Sequence, residues 1–433
     1  MRHPLNWRDE DFWSEASLNR ELERVFEICH GCRRCHSLCQ AFPTLFDLID
    51  ESTTLEIDGV DHQDFPKVVE QCYLCDMCFQ AKCPYVPPHQ SNVDFPHLML
   101  RAKAVAFRRN KPPLKIRVLA STDLVGKLAG IPGVADAVNA ANRSATLRKM
   151  LEKVLGVHPE ARLPEYHSDT FRRRMKKHAA PTIEPEPAVP TNGRVALFAT
   201  CYCNVNAPDI ATDLVKVLKH NGISVTLVER EACCAMPRYE HGNLEAVEQA
   251  MRINIPQLMP WVERGFDVLT PIPSCTLMFK QVLPSLFPDD ESVIRVSAHV
   301  HDPFEYLLAR HAEKKLEIGF KQSLGRIAWH VPCHQRVQNI GAKTREVLEL
   351  APETTVTTIE RCSGHNGTYG VRSETYPESI RIARGTVRRI ERAPFDHFVS
   401  DCPMAANHLA GLLGLESGQT TSPISLLRYA YGI

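Results

Sequence analysis

No stretch of this sequence approaches the ~18 uncharged apolar residues of a membrane-spanning helix. Residues 195–208 carry no charge, but cysteine and asparagine interrupt them. Residues 1–17 hold acidic side chains early and no apolar core of signal-peptide length, so secretion is not expected. Neither sign of charge is in excess, with Lys+Arg 51 against Asp+Glu 51, and nothing in that balance asks for nucleic acid or an anionic membrane. A G-x-G-x-x-G loop after a strand is missing, so a flavin or nicotinamide site is not expected within this chain. No Ser–His–Asp or paired-carboxylate arrangement stands out. Together these absences point to a cytoplasmic protein without a transmembrane segment, at most peripheral on the inner face of a membrane through a partner.

What is present is cysteine, 16 of them in 433 residues. Structural disulfides are disfavoured inside cells, which leaves metal, redox chemistry or buried thiols. Spacing chooses among these. The run CHGCRRCHSLC contains Cys29, Cys32, Cys35 and Cys39, and CYLCDMCFQAKCP contains Cys72, Cys75, Cys78 and Cys83 before Pro84. Three thiolates two residues apart can hold three corners of a cube on one irregular loop. In two-cluster ferredoxins the fourth cysteine of each run ligates the other cluster. Two [4Fe–4S] clusters are therefore expected, one on Cys29, Cys32, Cys35 and Cys83, the other on Cys72, Cys75, Cys78 and Cys39. Zinc, the alternative, usually takes two C-x2-C pairs, and the third evenly spaced cysteine in each run is surplus to it. The second run departs from the common pattern, with four residues rather than three before its last cysteine. Residues 18–28 have the apolar spacing of an amphipathic helix leading into the first run, and a second helix is expected from about His97.

Residues 111–192 contain no cysteine and suggest amphipathic helices. The basic cluster FRRRMKK at 171–177 reads as a solvated helix face, and the proline-rich segment 181–193 as a stiff linker. Beyond it the sequence repeats. GRVALFATC (193–201) aligns with GRIAWHVPC (325–333), LVEREACCA (227–235) with TTIERCSG (357–364), and GFDVLTPIPSC (265–275) with PFDHFVSDC (394–402). In the first copy strands are expected at 195–199, 225–229 and 268–271, and helices at 209–220, 244–264 and 277–286. This alternation argues for parallel βαβ units. The cysteines then fall at strand ends, where open parallel sheets bind ligands. One candidate site gathers Cys201, Cys203, Cys233, Cys234 and Cys275. The other gathers Cys333, Cys362 and Cys402, with Ser363 in place of a second paired cysteine and His334 and His365 nearby. The first suits an Fe–S cluster; the second suits zinc, a cluster with one non-cysteine ligand, or an open position. Packing of buried small residues is the alternative for both. His330 reads as a core histidine rather than a ligand.

The fold expected is α+β and multidomain. A helical ferredoxin-type domain (1–110) and a helical connector with linker (111–192) precede two α/β domains with short parallel sheets (193–320 and 321–433). With the two N-terminal runs, the stretches CPYVPPH (83–89), PCH (332–334), CSGHNGTYG (362–370) and DCPMAANH (401–408) resemble the heterodisulfide-reductase-related Fe–S proteins with cysteine-rich "CCG" domains. Within them the likeness is greatest to the glycerol-3-phosphate dehydrogenase C and glycolate oxidase Fe–S subunits. The resemblance implies an electron-transfer subunit between a flavoprotein dehydrogenase and a quinone or other acceptor. The alternative it carries is a subunit reducing a disulfide or serving a rubrerythrin-type partner. Disulfide cleavage in that family uses paired cysteines and a terminal C-x2-C. Here Met278 follows Cys275 at the last position, Ala235 replaces the glycine after the pair, and Ser363 interrupts the second pair. These departures argue against that chemistry.

Overall fold

The computed structural model describes residues 2–177, 190–415 and 422–433. Much of the proline-rich segment, residues 181–189, lies outside the described residues.

The N-terminal third is helical. In Glu15–Cys32 the buried Leu18, Leu22, Val25 and Phe26 fall on one face, Ser14 caps the start, and left-handed Arg33 (φ 52°) ends it. Ala41–Asp50 and Phe95–Arg109 pack beside it, joined by a Phe42–Phe95 ring contact of 4.7 Å. This bundle presses on the rest of the molecule: the Trp7 indole N–H donates to Leu286 O at 3.1 Å, and the ring meets Phe287 edge-on.

The C-terminal part holds two parallel sheets. The strands are β1 (Arg194–Leu197), β2 (Ser224–Leu227), β3 (Asp267–Leu269) and β4 (Val300–His301), in order β2-β1-β3-β4. The second sheet, β5 (Arg326–His330), β6 (Thr355–Ile359) and β7 (His397–Ser400), has the order β6-β5-β7. The register repeats too: Val195 pairs with Val225 and Asp267, and Ile327 with Val356 and His397. In each sheet the first strand is central and the chain crosses from one side of it to the other, which opens a crevice at the carboxyl ends. The copies differ at their edge, since β4 has no counterpart among the described residues of the second sheet. Buried apolar runs explain the strands: Val195, Ala196 and Leu197 are fully buried, as are Ala328 and Val399.

The connector wraps both repeats. Its segment near Gly156 pairs with the second, where His158 N–H donates to Val371 O at 2.8 Å. Two arginines of the basic cluster are not solvated, although Arg173 is exposed. Arg172 donates to Val228 O at 2.6 Å and pairs with Glu231 at 2.9 Å, which ties the helix to the first sheet, and Arg174 pairs with Asp169 at 3.0 Å within the connector. Among the described residues no helix is long and apolar enough to cross a membrane.

Candidate metal centres

The first loop begins where helix Glu15–Cys32 stops, so Cys29 and Cys32 sit on its last turn. Left-handed Arg33, Leu74 (φ 52°) and Asp76 (φ 56°) bend the two cysteine loops away from helix, and each lies between two cysteines. Asp76 is clamped by Arg2, whose guanidinium reaches Asp76 Oδ2 at 2.5 Å and Asp94 Oδ2 at 2.7 Å. The N-terminus thereby straps the second loop.

Cys29 lies against Cys83, Cys35 and Cys32, and burial followed by these neighbours pushes its thiol up. Burial, then Cys83 and Cys32, push Cys35 up to about 11. Cys39 instead lies against Cys72, and Cys78 against Cys72, Cys75 and Cys39. The structure thus brings Cys29, Cys32, Cys35 and Cys83 together in one group and Cys39, Cys72, Cys75 and Cys78 in another, with Cys35 near Cys78 between them. Backbone N–H groups of Ala41 and Phe42 point at Cys39, of Leu74 at Cys72, of Met77 at Cys75, and of Tyr85 and Val86 at Cys83. Such amide donors stabilise thiolates, and buried thiols pushed upward give up their protons when a metal binds. The donor sets therefore fit Fe–S ligation. The groups differ in depth: all four cysteines of the first are half-buried, whereas Cys72 and Cys78 of the second are buried.

At the first sheet, Cys201 and Cys203 follow β1, Cys233 and Cys234 follow β2, and Cys275 follows β3. Cys201 donates to Cys233 with sulfurs 4.0 Å apart, and Cys234 bridges Cys233 and Cys275. As acceptor from Cys201 and Cys234, Cys233 is held well below the ordinary thiol range. Cys203 is fully buried, and its N–H donates to Thr200 Oγ1 at 3.1 Å. Thr200 has φ 65° and ψ 151°, a conformation rarely adopted by a β-branched residue, and it directly precedes Cys201. Thr122 of the connector, which no spacing pattern marks, places its Oγ1 3.7 Å from Cys201 Sγ and 3.8 Å from Cys233 Sγ.

At the second sheet, Cys333 lies against Cys362 and Cys402. Gly364 N–H donates to Cys362 Sγ at 3.4 Å, and the N–H groups of Met404 and Ala405 face Cys402. The two ring nitrogens of His330 meet Ser400 Oγ and Arg361 O, each at 3.0 Å, which leaves no lone pair for a metal. His334 Nδ1 meets Ser274 Oγ at 2.8 Å; its Nε2 and that of His365 are buried without a hydrogen-bond partner among the described residues. No three His, Cys, Asp or Glu side chains among the described residues close to the geometry of a single metal ion.

The four groups adjoin in series. Cys75 feels the charge of Cys333 and Cys362, and Cys402 that of Cys275. Sequence spacing carries no sign of this order, which depends on how the helical bundle docks. Lys103 was also invisible: its buried ammonium donates to Cys72 O at 2.7 Å.

The family model for the cysteine-rich domain, CCG, matches twice, at residues 195–280 and 327–410. The chain thus carries two stretches that match the cysteine-rich domain. Each match spans three strands and the cysteines that follow them. The chain is 29% identical over 314 residues to the anaerobic glycerol-3-phosphate dehydrogenase C subunit of Escherichia coli K12, covering 72% of this chain and 76% of that one. It is 25% identical over 250 residues to "Lactate utilization protein A" of Geobacillus thermodenitrificans, covering 55% of this chain and 97% of that one. It is 28% identical over 228 residues to an uncharacterized iron-sulfur protein of Methanocaldococcus jannaschii, covering 52% of this chain and 42% of that one.

Proposed function

We propose that this chain is the iron–sulfur electron-transfer subunit of an oxidoreductase complex. Cys29, Cys32, Cys35 and Cys83 hold one [4Fe–4S] cluster of a ferredoxin-type domain, and Cys39, Cys72, Cys75 and Cys78 hold the other. The cysteines of the CCG domains hold further redox centres. Such clusters supply one-electron relays whose potential the surrounding hydrogen bonds, charge and exposure set.

The observation that carries the reading is the series of adjoining cysteine groups, from half-buried Cys29, Cys32, Cys35 and Cys83 to the interior pair Cys402 and Cys275. A structural zinc scaffold has no use for such a series. The half-buried end suits contact with a redox partner. A flavoprotein dehydrogenase acting on glycerol 3-phosphate, glycolate or lactate fits that role by likeness to the relatives. Electrons then pass toward the CCG sites and on to a quinone or other acceptor, with the complex at the inner membrane face. The chain's own part is to exclude water from the thiolates and to aim amide N–H groups at them.

The test is anaerobic purification, iron and acid-labile sulfide analysis, and EPR after dithionite reduction. Two magnetically interacting [4Fe–4S]⁺ signals are expected, both lost when Cys39 and Cys83 are changed to Ala. Zinc with little iron, or a reduced protein without those signals, would sink the reading.

A further inference from the structure

The connector helix Thr122–Ala129 lies outside both CCG matches, yet it closes over the first cysteine site. Close approach is possible because two positions lack side chains. A Cβ on Gly126 would stand 3.0 Å from Val205 Cγ2, and one on Gly130 would stand 3.2 Å from Val205 Cγ1. A further contact pins the helix: Asp123 pairs with Arg238 at 3.1 Å, just past the Cys233–Cys234 pair. Held in this way, the first residue of the helix meets the thiols, with Thr122 Oγ1 within 3.8 Å of both Cys201 Sγ and Cys233 Sγ.

We propose that Thr122 is a positioning residue of the first CCG site, its single hydroxyl proton shared between the sulfurs of Cys201 and Cys233 and favouring the reduced state of the centre they hold. The proposal rests on reading that site as an iron–sulfur centre. Between a hydroxyl and a thiol either atom can donate. A metal-bound thiolate has no proton to give, so the hydroxyl becomes the donor. Donation draws electron density from the sulfurs, and hydrogen bonds to sulfur are among the factors that set such potentials. Because one oxygen faces two cysteines from different loops, it fixes their spacing as well as their charge.

The test uses the full chain, purified without oxygen, with iron counted and each EPR signal titrated against potential. The first-site signal is the one that Cys233→Ser removes. Thr122→Val keeps the shape and removes the hydroxyl. The expected result is unchanged iron and a first-site midpoint lowered by about 59 mV, a tenfold change for a one-electron couple, with Thr122→Ser restoring it and the N-terminal signals unmoved. An unchanged first-site midpoint in Thr122→Val overturns the proposal. If Cys233→Ser costs neither iron nor signal, the iron–sulfur reading of the site fails and the proposal falls with it.

Discussion

Ala235 and Gly364 occupy the same place in the two CCG domains, one residue past the paired-cysteine position, with left-handed φ of 73° and 74°. In the second domain glycine is forced: a Cβ there would stand 2.2 Å from the Ser379 carbonyl oxygen in helix Tyr376–Arg392. In the first domain the methyl of Ala235 is fully buried and accommodated, and its N–H reaches Cys233 Sγ at 3.4 Å. The loop's shape is thus the shared requirement, because it turns the backbone N–H toward the sulfur. Which residue adopts it depends on the neighbouring helix. The same contrast runs through the walls. Phe198 packs edge-on against Phe279 at 4.9 Å, where the second domain has His330 bonded at both nitrogens. One frame therefore supports four linked thiols in one copy and three in the other.

The comparison is broken most severely by Gly364→Ala. The clash with helix backbone adds to left-handed strain, and a loss of about 4 kcal/mol is expected, read as a lower urea midpoint. A variant as stable as the parent would show that the helix yields and that glycine is not forced. Next comes Glu240, which lies where the copies touch: a Cβ on Gly367 would stand 2.4 Å from its Oε2. Burial pushes its carboxyl up to about 7, against the opposing pull of Lys103. The folded value exceeds the unfolded one near 4.3, so the native state binds the proton more tightly. Stability therefore falls as pH rises from about 4 to about 7 and stays lower above. Glu240→Gln is expected to remove that fall and to gain about 2 kcal/mol at pH 8; equal urea midpoints for variant and parent at pH 5 and pH 8 would refute it. The smallest effect is Ala235→Gly, which relieves left-handed strain and is expected to raise stability by about 1 kcal/mol in thermal unfolding. A loss instead would mean that the methyl's packing outweighs the strain.

Much of the frame was legible in the sequence because its strands are buried apolar runs ending at cysteines. The expected strands 195–199, 225–229 and 268–271 overlap β1, β2 and β3, each beginning one residue earlier and ending two earlier. The helix expected at 209–220 is Pro208–His220, and that at 244–264 is Leu244–Glu263. The helix expected at 277–286 is helical throughout, beginning earlier at Pro273 and widened by a π turn at Met278–Val282, which periodicity cannot register. Strand β4, only Val300–His301, is too short to alternate. Helix Ala41–Asp50 was missed because its apolar residues crowd together around Pro43. At the sites, spacing marks the cysteines as candidates but not Thr122 or Lys103, which reach them across folded distance. The basic cluster misled because arginines that bind backbone carbonyls look, in sequence, like arginines in water.

The exchange of Cys39 and Cys83 between the two proposed N-terminal clusters would have a consequence for biosynthesis. Neither loop can complete its own set of four thiols. A ribosome that has made only the first run has made three quarters of one site and one quarter of the next. On the proposed ligation, metal insertion waits until Cys83 has emerged and the bundle has closed, so that both sites fill as one event and a half-loaded chain is left with an open corner.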